Sequence, residues 1–462
     1  MWPVTSLRLL DWNGLAGRGV VVGLEEIWNR RDGGLSRAVV SVGGCSGVFI
    51  SPEGLILTAR RCVTQTAVTA VLHQGVAVRN TEVVYIPPEG AGAFALLRAP
   101  IGPERWLAIT SDPAPVGEAV LVMGMPRRTE RYLPAASLER DIGFVHPRRA
   151  EILSGWLEVL RASAARDVKT ASLLVPEISR VQTQLERTQG RLEGLRRSGA
   201  LARAREQDRR IREWIAASPR RRSRQARLLD ELDSVVISND ATREKDILLR
   251  YMLAASRRVA RALPSAPGVR LPEGEIDPIT DRLVTEWFVA RALRLPDSQR
   301  IAGLEAGMAS EDSMTRLAMV IAPERDAWRR REQERNEAFA GLQPAWMKLL
   351  ARVRPVRAYP DADGSLRLSV GARMQDASCH GSEGECFLTD ADTAPGSAGG
   401  PVLNGRGDLV GIDLERVGGD AACEDAWSAE HSRNVVLEAR SILAHLERTA
   451  ATRSLLDEMR GR

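Results

Sequence analysis

Two short segments come nearest, in their residue types, to the surroundings of a catalytic site. Neither of them has a side chain suited to act as general base or as activated nucleophile. Residues 58–62 read Thr-Ala-Arg-Arg-Cys, and residues 396–401 read Gly-Ser-Ala-Gly-Gly-Pro. The guanidinium of Arg61 stays protonated at any working pH and cannot accept a proton, and Ala398 has no nucleophilic atom. Ser397 carries a hydroxyl, but none of the five histidines lies in a motif that would activate it. The two segments therefore hold neither a general base nor an activated nucleophile.

The elements around these segments change character twice along the chain. Residues 38–124 contain Val, Ile and Leu runs broken by Gly and Pro, which is typical of a β-barrel. From about 148 to 350, glycine is scarce and apolar residues recur at helical spacing. Strand-like runs return from about 356 and end in a short strand and a helix over 434–459. We predict a first β-barrel over 1–148, an inserted α-helical domain over 149–351, and a second β-barrel with a C-terminal helix over 352–462.

The clearest helical pattern is an apolar seam from Ile178 to Leu195, with spacings that alternate between three and four residues. A second helix or a barrel of the same chain would bury this seam. A second copy of the chain would do so too, which makes the seam a candidate homodimer contact. Proline-bearing breaks at 218–219, 264–278 and 295–296 divide the region into several helices.

Charge and composition exclude two classes of partner. The 462 residues include 65 basic and 60 acidic side chains, a net charge of +5, so no general polyanion partner is indicated. The arginine run at 220–224 has acidic neighbours and no interleaved aromatics, which indicates a solvated helix start rather than a nucleic-acid site.

No apolar run is long enough to span a bilayer. The residues after Met1 show no signal-peptide pattern.

The five cysteines are informative by position. Cys45 precedes the first segment and Cys62 ends it, and Cys379 and Cys386 close a short loop before the second segment. Local pairs of this kind suit disulfides in an oxidising compartment, although buried thiols in a cytosolic protein remain the alternative. The spacings do not suggest zinc, because no histidine cluster accompanies them. We predict no metal and no cofactor.

The chain resembles serine peptidase family 46, the bacterial dipeptidyl peptidases 7 and 11. An extended match is residues 44–55, Gly-Cys-Ser-Gly-Val-Phe-Ile-Ser-Pro-Glu-Gly-Leu. Others follow in order over most of the chain, at 1–3, 84–88, 124–132, 190–194, 358–362, 388–392 and 399–404. The resemblance implies an α+β fold, a chymotrypsin-like double β-barrel with an inserted α-helical domain that caps the active site. It also implies a periplasmic or secreted protein, often dimeric.

The departures from the family pattern fall on its catalytic groups. Arg61 stands where the family has the general-base histidine, Ala93 where it has the aspartate, and Ala398 where it has the nucleophilic serine. The family's loop that helps to hold the substrate's amino terminus is absent, because the chain runs from Pro88 almost directly to Gly92. The resemblance thus implies a degenerate triad.

Part of the family's binding site is retained in the sequence. The backbone N–H groups of Gly396 and Ala398 occupy the positions of the family's oxyanion hole. Glu415 stands where the family keeps an aspartate for the substrate amine, and Arg416 matches members that prefer an acidic side chain. A pocket of Arg61, Glu415 and Arg416 could hold an acidic or zwitterionic peptide end. The alternative is that Glu415 and Arg416 are a solvated strand end.

These observations support three hypotheses. The first is a pseudopeptidase, an exported protein that binds peptides or a protein partner without cleaving them. The second is an active serine dipeptidyl aminopeptidase that releases N-terminal dipeptides and whose catalytic residues are assigned wrongly here. The third is an interaction scaffold that dimerises through the helical seam.

Overall fold

The computed structural model describes residues 1–63, 71–238, 240–263, 277–308, 313–353, 359–379, 385–417 and 421–460. The chain divides into two compact units. One comprises Met1–Tyr132 and Pro355–Arg462, and the other comprises Leu133–Arg354. The helical unit begins before the predicted border at 149, because helix α3 (Ala135–Arg140) continues through one π-helical turn, Asp141–Val145, into helix α4 (His146–Ala164).

The first sheet of the barrel unit is open, seven-stranded and antiparallel. Its strands carry runs of β-branched and apolar residues that are buried on both faces at the centre of the sheet, as in Leu55–Ala59. In sheet order they are β6 (Val76–Val78), β5 (Val71–His73), β2 (Val39–Val42), β3 (Cys45–Phe49), β4 (Leu55–Ala59), β8 (Phe94–Arg98) and β7 (Glu82–Tyr85).

The second sheet closes into a barrel. Its strands in order are β10 (Arg367–Ser378), β11 (Glu385–Thr389), β14 (Asn434–Glu438), β13 (Leu409–Arg416), β12 (Pro401–Leu403) and β9 (Ala119–Gly124), and β9 pairs back with β10. A short strand, β1 (Trp2–Pro3), is added beside β10. Strand β9 lies in this barrel, although its residues fall within the range predicted for the first one. The reason is packing: Val120 and Val122 join Val402, Val410 and Val436 in one buried cluster.

The helical unit is built around a separate apolar core. Its further helices are α5 (Val168–Arg197), α6 (Ala200–Ala216), α7 (Pro219–Ile237), α8 (Arg243–Ala255), α9 (Arg257–Ala262), α10 (Pro278–Leu293), α11 (Leu304–Met308) and α12 (Ser313–Val353). Helices α1 (Trp12–Ala16), α2 (Leu24–Ile27), α13 (Ala439–Arg448) and α14 (Arg453–Met459) belong to the barrel unit. The predicted α+β fold, a chymotrypsin-like double barrel with an inserted helical domain, is confirmed, and the open first sheet forms a half-barrel beside the closed second barrel. Among the described residues, no helix combines the length and apolarity needed to cross a membrane.

The predicted apolar seam lies on α5 and packs inside the helical unit. Val181 and Leu195 are buried, and Ile178 and Leu185 pack against the core that α4 also supplies. The seam is thus covered by helices of its own chain, which was one of the predicted ways of burying it. A homodimer stays a prediction, and it would need a different surface.

Both predicted disulfides are formed, Cys45–Cys62 and Cys379–Cys386, and Cys423 is buried outside them. The Cys45–Cys62 bond closes a loop with a sequence separation of 17. A disulfide that closes a loop of this size restricts the conformations of the unfolded chain. We therefore expect the double variant Cys45→Ala/Cys62→Ala to lose about 3 kcal/mol of unfolding free energy. Urea denaturation of the oxidised proteins measures the loss. An unchanged midpoint would show that the bond does not form in solution.

Candidate functional site

Three segments singled out in the sequence meet within the barrel unit. Residues Arg60–Cys62 form a 3₁₀ turn at the end of β4. The N–H of Arg60 donates to the carbonyl of Ala93, 2.9 Å away, just before β8. The Sγ of Cys62 lies 3.8 Å from the carbonyl oxygen of Ala398. The three positions assigned to a degenerate triad, Arg61, Ala93 and Ala398, therefore belong to neighbouring segments.

The glycine-rich turn is held in one conformation by its close approach to the first sheet. A Cβ atom on Gly399, which has a φ of +80°, would lie 2.2 Å from the Ser46 carbonyl oxygen and 2.4 Å from Thr58 Oγ1. Only glycine fits there. Ser46 also holds the turn through two hydrogen bonds. Its N–H donates to the Ala398 carbonyl at 2.8 Å, and its hydroxyl donates to the Gly396 carbonyl at 2.8 Å.

Two backbone donors of this turn are available to a ligand. Within the described part of the chain, the N–H groups of Gly396 and Ala398 donate no hydrogen bond, whereas the flanking N–H groups of Ser397 and Gly399 bond to Ala394 and Asp413. A buried donor without an acceptor is costly, so these two groups are suited to a ligand oxygen. The Ser397 hydroxyl is buried and accepts a hydrogen bond from the Ala394 N–H at 3.4 Å.

Two of the three charged side chains that were predicted to form a pocket lie near each other, and the pocket itself stays a prediction. Arg61 Nη1 lies 3.8 Å from Glu415 Oε2, with side chains that are 54% and 39% exposed. A pair this exposed stabilises the fold by at most about 1 kcal/mol, so a ligand can replace either partner. Arg416 follows Glu415 at the end of β13, and its Nε is buried without a hydrogen-bond acceptor among the described residues.

Sequence reasoning missed Asp413, which lies beside this pocket on β13. The residue is 4% exposed, and its Oδ1 has no hydrogen-bond partner in the described part of the chain. Burial raises the pKa of Asp413 to about 6, against the lowering effect of Arg416 and Arg61. The available signal was one acidic residue inside the apolar run Leu-Val-Gly-Ile-Asp-Leu. Because the strand buries Asp413, its carboxyl group changes charge at a pH close to neutral.

We expect Asp413→Asn to stabilise the protein at pH 8. The folded-state pKa lies above the unfolded value of 3.8, so the wild type loses stability as the pH rises through the interval from 3.8 to about 6. Asparagine has no charge to bury, which should recover about 2–3 kcal/mol at pH 8 and nothing at pH 3.5. Urea titrations at the two pH values measure the difference. An equal effect at both would show that the carboxylate is solvated or paired.

The three described histidines of the barrel unit each lie next to a residue outside the glycine-rich turn. His73 Nε2 lies 2.7 Å from the Arg37 carbonyl, and His445 Nε2 lies 2.6 Å from Tyr85 Oη. His431 is half exposed beside Glu430, and His380 lies outside the described residues. Among the described residues, no group of three or more His, Cys, Asp and Glu side chains could hold a metal ion.

Comparison with known proteins identifies the family of the chain. The family model for peptidase S46 matches residues 1–71, 84–267, 289–383 and 375–461. An Asp/Glu-specific dipeptidyl-peptidase of Capnocytophaga gingivalis is 19% identical over 473 residues, which cover 78% of this chain and 66% of that protein. One of Shewanella putrefaciens is 20% identical over 552 residues, covering 83% of this chain and 74% of that protein. The chain thus spans just under two thirds of the length of the first of these relatives.

Solved structures agree on the fold. The crystal structure of Porphyromonas endodontalis DPP11 superposes with a TM-score of 0.82 at 15% identity, over 99% of this chain and 99% of that one. The same protein in complex with the dipeptide Arg-Glu gives a TM-score of 0.76, also at 15% identity. At such identity the likeness concerns the fold, and the match of the family model carries the assignment. The chain belongs to the peptidase S46 family.

Proposed function

We propose that this protein is a non-catalytic member of the family, a pseudopeptidase that binds short peptides at the Arg61–Glu415–Arg416 pocket. One observation carries the proposal: the segments of Arg61, Ala93 and Ala398, the residues assigned by family resemblance to the base, acid and nucleophile positions, contact one another, and two of these residues are alanines and the third an arginine. Neither type of side chain can supply the chemistry of its position. The hydroxyl of the neighbouring Ser397 is buried and bonded within its own turn.

The surviving groups are suited to a peptide that carries a negative charge. Arg61 and Arg416 offer guanidinium groups to a carboxylate, and Glu415 offers a carboxylate to an ammonium group. The N–H groups of Gly396 and Ala398 can receive a carbonyl or carboxylate oxygen. Structures of Porphyromonas endodontalis DPP11 with the dipeptides Arg-Glu and Arg-Asp support dipeptides as first ligands to test.

The test is isothermal titration of the whole protein with Arg-Glu, Arg-Asp and the neutral control Arg-Gln. We expect binding of the two acidic dipeptides and at least tenfold weaker binding of Arg-Gln. Arg416→Met should weaken Arg-Glu at least tenfold, whereas Arg8→Met, which removes an exposed arginine paired with Glu25, should change nothing. No heat at millimolar Arg-Glu would refute the pocket.

The second candidate function is an active dipeptidyl aminopeptidase, and membership of a peptidase family favours it. A panel of fluorogenic dipeptides separates the two, since release of fluorophore that follows the protein through purification would establish catalysis. We also propose an exported protein, periplasmic or secreted, because two disulfides suit an oxidising compartment. Fractionation of the source cells followed by immunodetection would test this, and a cytoplasmic location would contradict it.

A further inference from the structure

The buried carboxyl group of Asp413 belongs to a residue that is bonded directly to the glycine-rich turn. The N–H of Asp413 donates to the Gly400 carbonyl at 2.9 Å, and its carbonyl accepts the N–H of Gly399 at 2.7 Å. On its other side the turn meets the end of β4, since a Cβ on Gly399 would lie 2.8 Å from the backbone nitrogen of Ala59. The turn thus contacts both Asp413 on β13 and the strand end from which Arg61 follows.

The charge of Asp413 has no direct compensation in the part of the chain that the structure describes. Its Oδ1 is buried and accepts no hydrogen bond there, and Nε of Arg416 on the same strand is buried and donates none. The strands that flank β13 present no charge at this point: Val436 of β14 lies opposite Asp413, and β12 reads Pro-Val-Leu. The charged groups that act on Asp413 are Arg416, Arg61 and Glu415.

These three groups are the side chains of the proposed peptide pocket, so the charge of Asp413 changes the balance of that pocket. With Asp413 neutral, two guanidinium groups face one carboxylate, which leaves a net positive charge. With Asp413 ionised, the charges cancel. A buried charge is screened little by solvent and salt, so its field reaches a neighbouring ligand. Burial raises the pKa of Asp413 to about 6, so its charge changes close to neutral pH.

We infer that Asp413 sets the charge preference of the Arg61–Glu415–Arg416 pocket, which favours an acidic peptide side chain while Asp413 is neutral and loses that preference when Asp413 ionises. Because this role rests on the proposed function, it requires peptides to bind at that pocket. Asp413 is 4% exposed and acts through its charge rather than by touching the ligand. The coupling is reciprocal, so a bound carboxylate favours protonation of Asp413, and an acidic peptide takes up protons as it binds.

The test compares Ala-Glu with Ala-Gln, two dipeptides that differ by one carboxylate, by calorimetry on the whole protein at pH 5.2 and 7.2. The glutamate side chain is largely ionised at both pH values, and the peptide termini are common to both ligands. We expect the ratio of the two affinities in the wild type to favour Ala-Glu and to fall about tenfold from pH 5.2 to 7.2. Asp413→Asn should keep the ratio of pH 5.2 at both values.

A second measurement needs no variant. At pH 6, titrations in two buffers of different ionisation enthalpy count the protons exchanged on binding, and we expect proton uptake with Ala-Glu and much less with Ala-Gln. Histidine side chains change charge in the same pH range, so His431→Gln is the control. His431 is half exposed in the connection between β13 and β14, and its loss should leave the pH dependence unchanged.

The outcomes separate this role of Asp413 from peptide binding itself. Circular dichroism confirms that each variant is folded. A wild-type preference for Ala-Glu that is equal at the two pH values, or a pH dependence that survives Asp413→Asn, would overturn the inference and leave the peptide pocket in place. No heat from either dipeptide at either pH would refute the pocket, and with it the role of Asp413.

Discussion

The triple variant Arg61→His/Ala93→Asp/Ala398→Ser will react with a fluorophosphonate at least about a hundredfold faster than the unaltered chain. The segments that carry the three positions are already in contact, through the Arg60 N–H to the Ala93 carbonyl and through Cys62 to the Ala398 carbonyl. The N–H groups of Gly396 and Ala398 donate to no acceptor among the residues that the structure describes, so they can stabilise the developing oxyanion. Gel fluorescence against time measures the labelling rate.

Partial restorations show which group limits the chemistry. Ala398→Ser alone should gain almost nothing, because Arg61 cannot accept the serine's proton. Adding Ser397→Ala to the triple variant should leave its rate unchanged, since the Ser397 hydroxyl is bonded within its own turn. Labelling of the unaltered chain at the rate of the triple variant would refute the pseudopeptidase proposal. Mass spectrometry of the labelled peptide then identifies the true nucleophile.

Local features of the fold could be predicted from the sequence. The cysteines pair as their positions indicated, and α7 begins at Pro219, one of the predicted breaks. These features depend on neighbours in the chain and on backbone restrictions that proline imposes. The Ile178–Leu195 seam is also local: its spacing predicted a buried helix face, although it did not decide among a helix, a barrel and a second copy of the chain as the covering surface.

Features that depend on distant partners were predicted less well. Apolar residues marked Ala119–Gly124 as a strand, but nothing in that run shows that it pairs with Arg367–Ala372 and Val402–Leu403 rather than with the first sheet. Asp413 was missed for the same reason, because its burial depends on the strands beside it and on an irregularity in pairing between Asp413 and Glu415. At the candidate site, the sequence predicted the loss of the reactive groups, which stays a prediction, whereas the structure added the buried carboxyl group of Asp413.

A buried ion pair beside the second barrel should have the largest effect on stability. Arg131 and Asp392 are 7% and 6% exposed, and Arg131 Nη1 lies 2.5 Å from both carboxylate oxygens. Arg131 also donates to the carbonyls of Cys423 and Thr393, and Tyr359 Oη donates to Asp392. Burial raises the pKa of Asp392, but Arg131 and the amino group of Met1 outweigh it and hold the pKa below its usual value. The carboxylate is therefore charged at neutral pH.

We expect Arg131→Met to lose about 3–5 kcal/mol of unfolding free energy at pH 7.5, because it leaves the buried charge of Asp392 with weaker partners. Urea denaturation measures the loss. The matched control is Arg128→Met, which removes an arginine that is 71% exposed and lies 3.4 Å from Glu130, and it should cost less than about 1 kcal/mol.

The double variant Arg131→Met/Asp392→Asn separates the charge from the packing. Asparagine carries no charge that would be buried without a partner, so the double variant should be more stable than Arg131→Met alone. The carbonyls of Cys423 and Thr393 still lack the donor that Arg131 supplies. If the two substitutions instead add their separate losses, the arginine stabilises the fold through its carbonyl contacts and not through Asp392. Recovery in the double variant would establish that the stability of this barrel depends on compensating one buried carboxylate.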